Sequence, residues 1–445
     1  MREKNFLALL FAISLAIKIP LALFFVKGFG VDETLYLSLA RKFAEAGEYG
    51  IKTEFYDMRF VAPLWPTVLA FVYGLGGELA ARFLSPIISS LTLVPFYYLG
   101  KKFLSKTAAS YVALFFLFNP AAILLSTRML TENLALLLFT IAIILLLDTK
   151  KNKWKLVPFA VFAASAGITR YPLLLHSLTI FLAFVFLTKK FDLIANRFFF
   201  LSIATTLLVL SPWFIFNLEN FGNILGGPLH QASGDAGFVI AQAVLYFPYL
   251  LIILGPLFPF VFVGAKYLLD RKQIVLPMLF LVFFFTQFFV LGKVAEERYL
   301  FPILPFAGLL VGVSLEKFLR SKWKQLVTTL FVFLLAIGFL GGIYLVNLFG
   351  NLPRYVEMKQ AVLWAKENCT APIVSNGFTY VWYYAEFENI PLLNKEKTIE
   401  LVSARNVECI IFTPYEPFSE NFLPDVEDFE PTKSFGKVLI YKVKL

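Results

Sequence analysis

Charged side chains are scarce in this sequence. Asp, Glu, Lys and Arg make up 16% of its 445 residues, whereas a soluble domain carries about a quarter. Residues of the hydrophobic set reach 59%. A water-soluble fold is therefore excluded.

Histidine and cysteine are rare as well, with two residues of each. His176 and His230 are too few for a histidine metal site. Cys369 and Cys409 both lie near the C-terminal end. They either pair, if their compartment is oxidising, or stay as free buried thiols, and the sequence leaves both alternatives open.

Apolar runs of membrane-spanning length recur along the chain. A span needs about 20 apolar residues, and these runs are continuous rather than alternating, which excludes a porin-like barrel. The first run is too long, and too little followed by small residues, for a cleaved signal peptide. We predict a polytopic α-helical membrane protein of about 11 transmembrane helices. The predicted spans are 6–26, 82–100, 107–126, 132–148, 156–169, 172–188, 198–217, 240–265, 274–291, 299–315 and 325–347.

The distribution of Lys and Arg predicts the orientation. With a cytoplasmic N-terminus, nineteen of them fall on short inside segments and four on short outside loops. Membrane topology thus accounts for the net charge of +10, and no nucleic-acid partner is expected. The inside set is Arg2, Lys4, Lys101, Lys102, Lys106, Lys150, Lys151, Lys153, Lys155, Lys189, Lys190, Arg197, Lys266, Arg271, Lys272, Lys317, Arg320, Lys322 and Lys324. The outside set is Arg128, Arg170, Lys293 and Arg298.

Two long segments fall outside the membrane in this arrangement, residues 27–81 and residues 348–445. We assign the first to a membrane domain of residues 1–347 and the second to a small extracytoplasmic α/β domain. The tail has a helical pattern and three strand-like patterns in the order that a covered sheet requires. The helix is predicted over 353–368 and the strands over 372–375, 407–413 and 438–443.

Ionisable residues beside apolar helices place the expected chemistry on the outer face, because charge near hydrocarbon is costly and tends to be functional. The run from Gly30 to Tyr36 follows the first span. Leu35, Leu39 and Phe43 recur at helical spacing, which predicts a helix along the membrane surface.

Asp32 and Glu33 stand at the start of this helix. Asp32 either caps free backbone amides there or acts as a general base on a hydroxyl or amine acceptor. Glu33 is a second acid, a metal ligand or a solvated side chain. We predict Asp32 and Glu33 as the catalytic residues.

Four short motifs occur in a recognisable order and resemble the GT-C membrane glycosyltransferases. The similar branch is that of the protein O-mannosyltransferases and the lipid A aminoarabinose transferase. The motifs are Val31-Asp32-Glu33-Thr34-Leu35-Tyr36, Pro63-Leu64-Trp65-Pro66, Ala80-Ala81-Arg82-Phe83-Leu84 and Glu297-Arg298-Tyr299-Leu300-Phe301-Pro302.

The resemblance covers roughly residues 1–190 in layout, plus the Glu-Arg-Tyr element. It implies the GT-C fold, Asp32 as the catalytic base and a polyprenyl phosphate sugar as donor, with the reaction on the outer or lumenal face of the membrane. Tyr36, Glu297 and Tyr299 lie within the motifs and are further candidates.

The segment before the proline motif departs from the family. Relatives often carry Lys-Pro-Pro or His-Pro-Pro there, whereas this chain reads Arg59-Phe60-Val61-Ala62-Pro63-Leu64. Either Arg59 replaces the missing basic residue or the enzyme binds its donor or acceptor differently.

A lipid phosphate entering from the bilayer needs fixed cations, and arginine binds phosphate through its bidentate fork. Each arginine here is either a donor ligand or an interfacial anchor or salt bridge, for example Arg128 with Glu132 or Arg298 with Glu297. Lys18, inside the first span, is either a snorkelling anchor or a donor contact. The arginines on the predicted outer side are Arg82, Arg128, Arg170 and Arg298.

We predict direct displacement at the anomeric carbon with inversion, and no organic cofactor. Asp32, Glu33 and Glu132 offer oxygen ligands that suit Mg²⁺ or Mn²⁺, but arginine alone could stabilise the leaving phosphate, so the sequence leaves metal dependence open. His230 either touches the acceptor or is a solvated loop residue. The acceptor is a protein, a glycan or a lipid.

The alternative class is a multi-spanning transporter or lipid flippase. Transporter sites lie near the midplane between repeated halves, whereas the charges here gather at one surface. A non-catalytic anchored scaffold would not need eleven spans. The sequence therefore favours a membrane glycosyltransferase.

Overall fold

The computed structural model describes residues 3–235, 239–290, 296–370, 372–392, 395–415 and 431–442. Four positions used above lie outside the described residues, namely Arg2 and Lys293 of the topology argument, residue 291 of one predicted span and residue 443 of the last predicted strand.

Every predicted span falls on a helix or on consecutive helices. Shorter turns of 3-10 or π helix join some of them, including the 3-10 segment Glu297–Ile303. The helices of the apolar part are α1 Glu3–Pro20, α2 Val31–Ala46, α3 Leu64–Leu91, α4 Leu93–Phe103, α5 Lys106–Leu117, α6 Pro120–Ser126, α7 Glu132–Asp148, α8 Leu156–Thr169, α9 Pro172–Thr188, α10 Arg197–Phe221, α11 Gly226–Asp235, α12 Ile240–Ala243, α13 Tyr246–Leu254, α14 Phe258–Asp270, α15 Val275–Val290, α16 Leu304–Leu319 and α17 Lys324–Gly350.

The predicted count of eleven spans is not confirmed. Within the described ranges, six helices are long and apolar enough to cross a membrane, or seven if the bent pair α5 and α6 forms one span. Helices α7, α8, α9 and α15 have 17, 14, 17 and 16 residues, shorter than the roughly 20 that a span needs. These four helices are as apolar as the predicted spans, but each is too short to count as a membrane-spanning helix by length.

Helix α3 begins at Leu64, well before the predicted start of the second span. Its helical dihedrals are interrupted at Gly76 and Gly77, and Gly77 has a φ of 62°. A positive φ strongly favours glycine. Gly76 and Gly77 therefore form a break inside one long helical element.

The chain folds into two compact units. Unit 1 contains Met1–Ala22, Arg59–Trp65 and Arg82–Leu345, and unit 2 contains Leu23–Met58, Pro66–Ala81 and Val346–Leu445. The last segment of unit 2 begins close to the predicted domain boundary at residue 347. Most of the first outside segment clusters with the tail rather than with the apolar helices.

Helix α16 forms the centre of unit 1. Every residue from Leu304 to Leu315 is buried. A Cβ at Gly264 of α14 would lie 2.0 Å from the backbone oxygen of Leu310, and a Cβ at Gly312 would clash with Leu104 and Val112. Small residues permit this close approach of apolar helices.

Unit 2 contains a five-stranded sheet in the order β2-β1-β3-β5-β4. Strand β1 pairs in parallel with β2 and β3, whereas β5 pairs antiparallel with β3 and β4. Its elements are α18 Pro353–Asn368, β1 Ile373–Ser375, α19 Phe378–Tyr380, the π-helical turn Val381–Ala385, β2 Asn389–Pro391, α20 Lys395–Arg405, β3 Cys409–Phe412, β4 Lys433–Phe435 and β5 Val438–Lys442.

The tail contains a small sheet together with helices, as the sequence predicts. Helix α18 has the predicted bounds, and β1, β3 and β5 lie within the three predicted strands. Strands β2 and β4, of three residues each, were not predicted.

A disulfide joins Cys369 and Cys409, with their Cα atoms 6.1 Å apart. It ties the residue after α18 to the first residue of β3. Of the two alternatives that the sequence left open, the structure therefore has the paired cysteines. The bridge closes a loop of about 40 residues, for which chain entropy gives a stabilisation of about 4 kcal/mol.

Candidate active site

Two arginines of unit 1 share one buried carboxylate. Glu132 is the first residue of α7 and is 2% exposed. Its Oε1 accepts a hydrogen bond of 2.6 Å from Nη1 of Arg170 and lies 3.8 Å from Nε of Arg298. Arg170 directly follows α8, and Arg298 lies in the 3-10 segment Glu297–Ile303. The ends of three helical segments thus meet at one ion-pair cluster.

The ring of Tyr299 completes this group, which we call the arginine cluster: Glu132, Arg170, Arg298 and Tyr299. The guanidinium carbons of Arg170 and Arg298 lie 4.3 Å and 5.7 Å from the ring centre, within cation–π range. The structure therefore brings four sequence-predicted candidates together.

Arg298 pairs with Glu296 as well as with Glu132. The pairing of Arg298 with Glu297 that the sequence suggests stays a prediction. Glu297 is partly buried and opens the 3-10 segment. Glu296, just before that segment, was missed by sequence reasoning, which considered only the motif residues themselves.

Arg170 keeps capacity for a further anion. Its guanidinium carries five N–H donors, and in the described part of the chain its side chain donates one hydrogen bond, to Glu132. Its side chain is 13% exposed. A second acceptor such as a phosphate oxygen can therefore be bound without breaking the bond to Glu132.

A neighbouring segment of unit 1 contains Arg59. Its Nη1 donates to Oδ1 of Asn220 over 2.5 Å, and its guanidinium lies 5.4 Å from the ring centre of Phe221. The hydroxyl of Tyr171 donates to the backbone oxygen of Phe60 over 2.9 Å. Because Tyr171 follows Arg170, this bond places the Arg59 segment beside the arginine cluster.

His230 is exposed on α11, and its ring centre lies 4.8 Å from that of Phe60. Arg128 is buried in the same unit, and Trp65 donates through Nε1 to the backbone oxygen of the adjacent Met129 over 3.2 Å. The segment Arg59–Trp65 therefore contacts His230 and the residues next to two further candidates, Arg128 and Arg170.

The side chain of Lys18 makes a polar contact inside the helices of unit 1. Its side chain is fully buried, Nζ donates to Oγ of Ser89 over 2.9 Å, and Nζ lies 5.2 Å from the ring centre of Phe116. The snorkelling alternative is therefore wrong, because a snorkelling lysine extends its ammonium to the interface. Arg82 is partly buried on α3, after the break at Gly77.

Helix α2 of unit 2 carries Asp32, Glu33 and Tyr36. Glu33 is fully buried, and its Oε2 accepts a hydrogen bond of 2.7 Å from the backbone N–H of Gly30. This contact is the carboxylate half of a capping box, so the alternative of a solvated Glu33 is wrong. Asp32 and Tyr36 are partly buried. Asp32 lies in the first turn, where the helix dipole stabilises negative charge.

The tail holds α2 in place within unit 2. Oγ1 of Thr34 donates to Oγ1 of Thr379 over 2.9 Å. Arg41 donates to the backbone oxygens of Trp382 and Tyr383 over 2.7 Å and 3.1 Å, and lies 3.3 Å from a carboxylate oxygen of Glu386. The helix predicted to lie along the membrane surface therefore packs its polar face against the tail.

Two side chains near the contact between α2 and the tail have shifted pKa values. Burial and the nearby carboxylate of Glu78 raise the pKa of Tyr383, so its hydroxyl stays protonated and donates to Glu78. The Lys366 ammonium, which donates to Glu386, holds the pKa of that carboxyl below its ordinary value, and Arg41 adds to this effect. Both shifts favour the protonation states that these hydrogen bonds require.

Among the described residues, no group of three or more His, Cys, Asp or Glu side chains could hold a metal ion. Asp32, Glu33 and Glu132, predicted as an optional ligand set, are thus not supported as one. One carboxylate oxygen of Glu33, Oε2, already accepts the hydrogen bond of the Gly30 amide.

Comparisons with known proteins bear on the fold. The family model described as dolichyl-phosphate-mannose-protein mannosyltransferase matches residues 61–216, less than half of the chain. No curated protein sequence matches.

Solved structures match over almost the whole chain. ArnT from Cupriavidus metallidurans, bound to undecaprenyl phosphate, is 13% identical with a TM-score of 0.74, covering 99% of this chain and 98% of its own. An oligosaccharyltransferase from Archaeoglobus fulgidus, complexed with Zn and sulfate, is 12% identical with a TM-score of 0.65, covering 91% and 67%. AglB from the same organism, complexed with an inhibitory peptide and a dolichol-phosphate, is 12% identical with a TM-score of 0.62, covering 92% and 69%.

These matches confirm the resemblance to GT-C membrane glycosyltransferases that the four motifs indicated. The fold extends beyond the roughly 190 residues over which the sequence layout is similar.

Proposed function

We propose that this chain is a membrane glycosyltransferase that moves a sugar from a polyprenyl monophosphate to a protein, glycan or lipid acceptor. Asp32 is the general base, and Arg170 and Arg298 bind the donor phosphate. Reaction on the outer face of the membrane agrees with the disulfide Cys369–Cys409, because disulfides persist in oxidising compartments.

The arginine cluster is the observation that carries this proposal. A buried carboxylate with two guanidiniums is costly in an apolar helical unit and needs a functional reason. Glu132 fixes the position of Arg170 while leaving N–H donors of that guanidinium available. Two pre-oriented guanidiniums suit a phosphate, which they can bind in a bidentate manner.

An apolar groove beside Arg170 fits the lipid part of such a donor. It has a volume of about 510 Å³, lies between α8, α9 and α10, and includes Tyr171, which is adjacent to Arg170 in sequence. We infer that the polyprenyl tail lies along this groove with its phosphate toward Arg170. The groove residues are mostly large and apolar, among them Phe159, Leu174, Leu178, Phe181, Phe199 and Leu207.

The reaction is a single displacement. The Asp32 carboxylate takes the proton of the acceptor hydroxyl or amine while the acceptor atom bonds to the anomeric carbon. The bond from that carbon to the phosphate oxygen breaks, and its electron pair leaves with the polyprenyl phosphate. The arginines stabilise the charge that develops on this leaving group, and the anomeric centre is inverted.

The first test measures release of free polyprenyl phosphate. Purified wild type, Asp32→Asn and Asp192→Asn are each incubated with a mixed pool of polyprenyl phosphate sugars and host membrane extract as acceptor. Asp192 is an exposed carboxylate paired with Lys153, so its variant controls for the loss of one charge. We expect release by wild type and Asp192→Asn, and a loss of about 100-fold or more in Asp32→Asn.

The proposal fails if Asp32→Asn retains wild-type turnover, or if the wild type releases no polyprenyl phosphate from any donor. A parallel sample with a chelator tests the metal question. Since the arginines provide the charge stabilisation in this mechanism, we expect turnover to survive chelation.

A further inference from the structure

A second cavity of unit 1 combines positive charge with apolar depth. Its volume is about 530 Å³, and it lies among the ends of α4, α7, α14, α15 and α16. This volume falls within the range of small-molecule sites, about 300–1,000 Å³. The proposed function does not use this cavity.

Four cations from three separate segments line the cavity. Lys150 follows α7, Arg271 follows α14, and Lys317 and Arg320 lie at the end of α16. Glu316 is the one carboxylate among the described lining residues, and it is occupied by a 2.8 Å hydrogen bond from Arg320 and by the backbone N–H of Ser105. The rim therefore carries an excess of positive charge.

Arg271 and Lys317 are held against the same aromatic ring. The guanidinium carbon of Arg271 lies 4.4 Å, and Nζ of Lys317 lies 5.1 Å, from the ring centre of Tyr267. Within the described ranges neither side chain has a carboxylate partner. Both cations line the same cavity, so an anion bound there would offset their mutual repulsion.

The deeper wall is apolar. Leu279 of α15 and Phe306, Leu309 and Val313 of α16 line it, and α16 is the buried centre of unit 1. A soluble anion would satisfy the cations but leave this wall in contact with water. An amphipathic molecule with a negatively charged head satisfies both parts of the cavity.

We propose that this cavity binds an anionic glycerophospholipid, with its phosphate between Arg271 and Lys317 and the start of an acyl chain against Leu279 and Leu309. Basic pockets between membrane helices bind anionic lipid head groups. All four cations belong to the set predicted on the cytoplasmic side, so the lipid comes from the inner leaflet. The positive-inside bias explains cations on these loops but not their convergence on a cavity with an apolar wall.

The test is lipid binding by the purified full-length chain, measured by native mass spectrometry with added palmitoyl-oleoyl phosphatidylglycerol or phosphatidylcholine. The variant Arg271→Gln/Lys317→Gln removes the two cations at Tyr267. The control Lys322→Gln/Lys324→Gln removes the same charge from exposed residues that do not line the cavity. Arg271→Lys/Lys317→Arg keeps the charge and reports on folding.

We expect the wild type to prefer phosphatidylglycerol, and Arg271→Gln/Lys317→Gln to weaken that binding about 30-fold. The control and the charge-conserving variant should stay within about twofold of wild type. Inorganic phosphate at millimolar concentration should not displace the bound lipid, because it cannot cover the apolar wall.

Three results would overturn the proposal. Equal weakening in the control variant would mean attraction by surface charge in general. Equal binding of phosphatidylcholine would mean an apolar groove without selectivity for the head group. Displacement by inorganic phosphate would mean a site for a soluble anion rather than for a lipid.

Discussion

At the scale of single residues, the buried carboxylate of Glu132 determines how Arg170 and Arg298 are held. All three residues were candidates from sequence, because charge next to apolar helices marks functional positions. Their partners were not predictable, since Glu132 lies 38 residues from Arg170 and still further from Arg298. Only the tertiary structure brings these helix ends together.

Glu132→Gln should therefore destabilise the protein. It leaves the Arg170 and Arg298 guanidiniums without their shared carboxylate, and removal of one partner of a buried ion pair costs about 3–5 kcal/mol. Thermal unfolding of the purified protein in detergent measures the effect. Asp192→Asn, which removes an exposed carboxylate, should leave the unfolding temperature unchanged. Equal stability of Glu132→Gln and wild type would contradict a structural role for this carboxylate.

At the scale of elements, the packing of α2 is the main finding that sequence did not provide. The apolar spacing of Leu35, Leu39 and Phe43 predicted a helix, and α2 spans Val31–Ala46. Leu39 is fully buried, but so are Glu33 and Thr34. The polar contacts with Thr379 and with the backbone of Trp382 and Tyr383 belong to residues more than 300 positions away, and a local pattern contains no information about them.

Arg41→Ala should loosen α2. The guanidinium donates to two backbone oxygens of the tail and contacts Glu386, and hydrogen bonds from a charged donor contribute about 1.5–3 kcal/mol each. Hydrogen exchange of the α2 amides should become faster in this variant. Lys42→Ala, in which only an exposed contact with Glu48 is lost, should exchange like wild type. Unchanged α2 protection in Arg41→Ala would show that the tail does not hold this helix.

Gly77→Ala should destabilise the break in α3. Gly77 has φ 62° and ψ −152°, a region that is open to glycine but costs other residues about 1–3 kcal/mol. Gly74→Ala is the matched control, because a Cβ there meets only Ala44 at 3.9 Å and alanine favours the helix. Thermal unfolding should show a loss for Gly77→Ala and no loss for Gly74→Ala. The reverse order would mean that the break does not depend on the glycine conformation.

At the scale of the whole molecule, the distribution of Lys and Arg predicts which loops face the cytoplasm. A cysteine at an exposed loop position tests this prediction in cells, because the native cysteines are paired. Asn223→Cys, on a predicted outside loop of unit 1, should react with a membrane-impermeant maleimide in intact cells. Lys151→Cys, on a predicted inside loop, should react only after permeabilisation. The opposite pattern would invert the predicted topology.

The membrane class, the positions of the apolar helices and the α/β character of the tail could all be predicted from the sequence. Helix α18 has the predicted bounds Pro353–Asn368. These properties depend on hydropathy and on periodicity over a short stretch of residues, and both can be read from the local sequence. The four motifs likewise indicated the GT-C resemblance before the fold was compared.

Which distant residues meet, by contrast, could not be predicted and is known from the fold alone. The fold pairs Cys369 with Cys409, places Glu132 between two arginines, packs α2 against the tail and gathers Arg271 and Lys317 at one tyrosine ring. The physical reason is that each contact joins segments far apart in the chain, whose approach depends on how the helices between them pack rather than on the residues at either end.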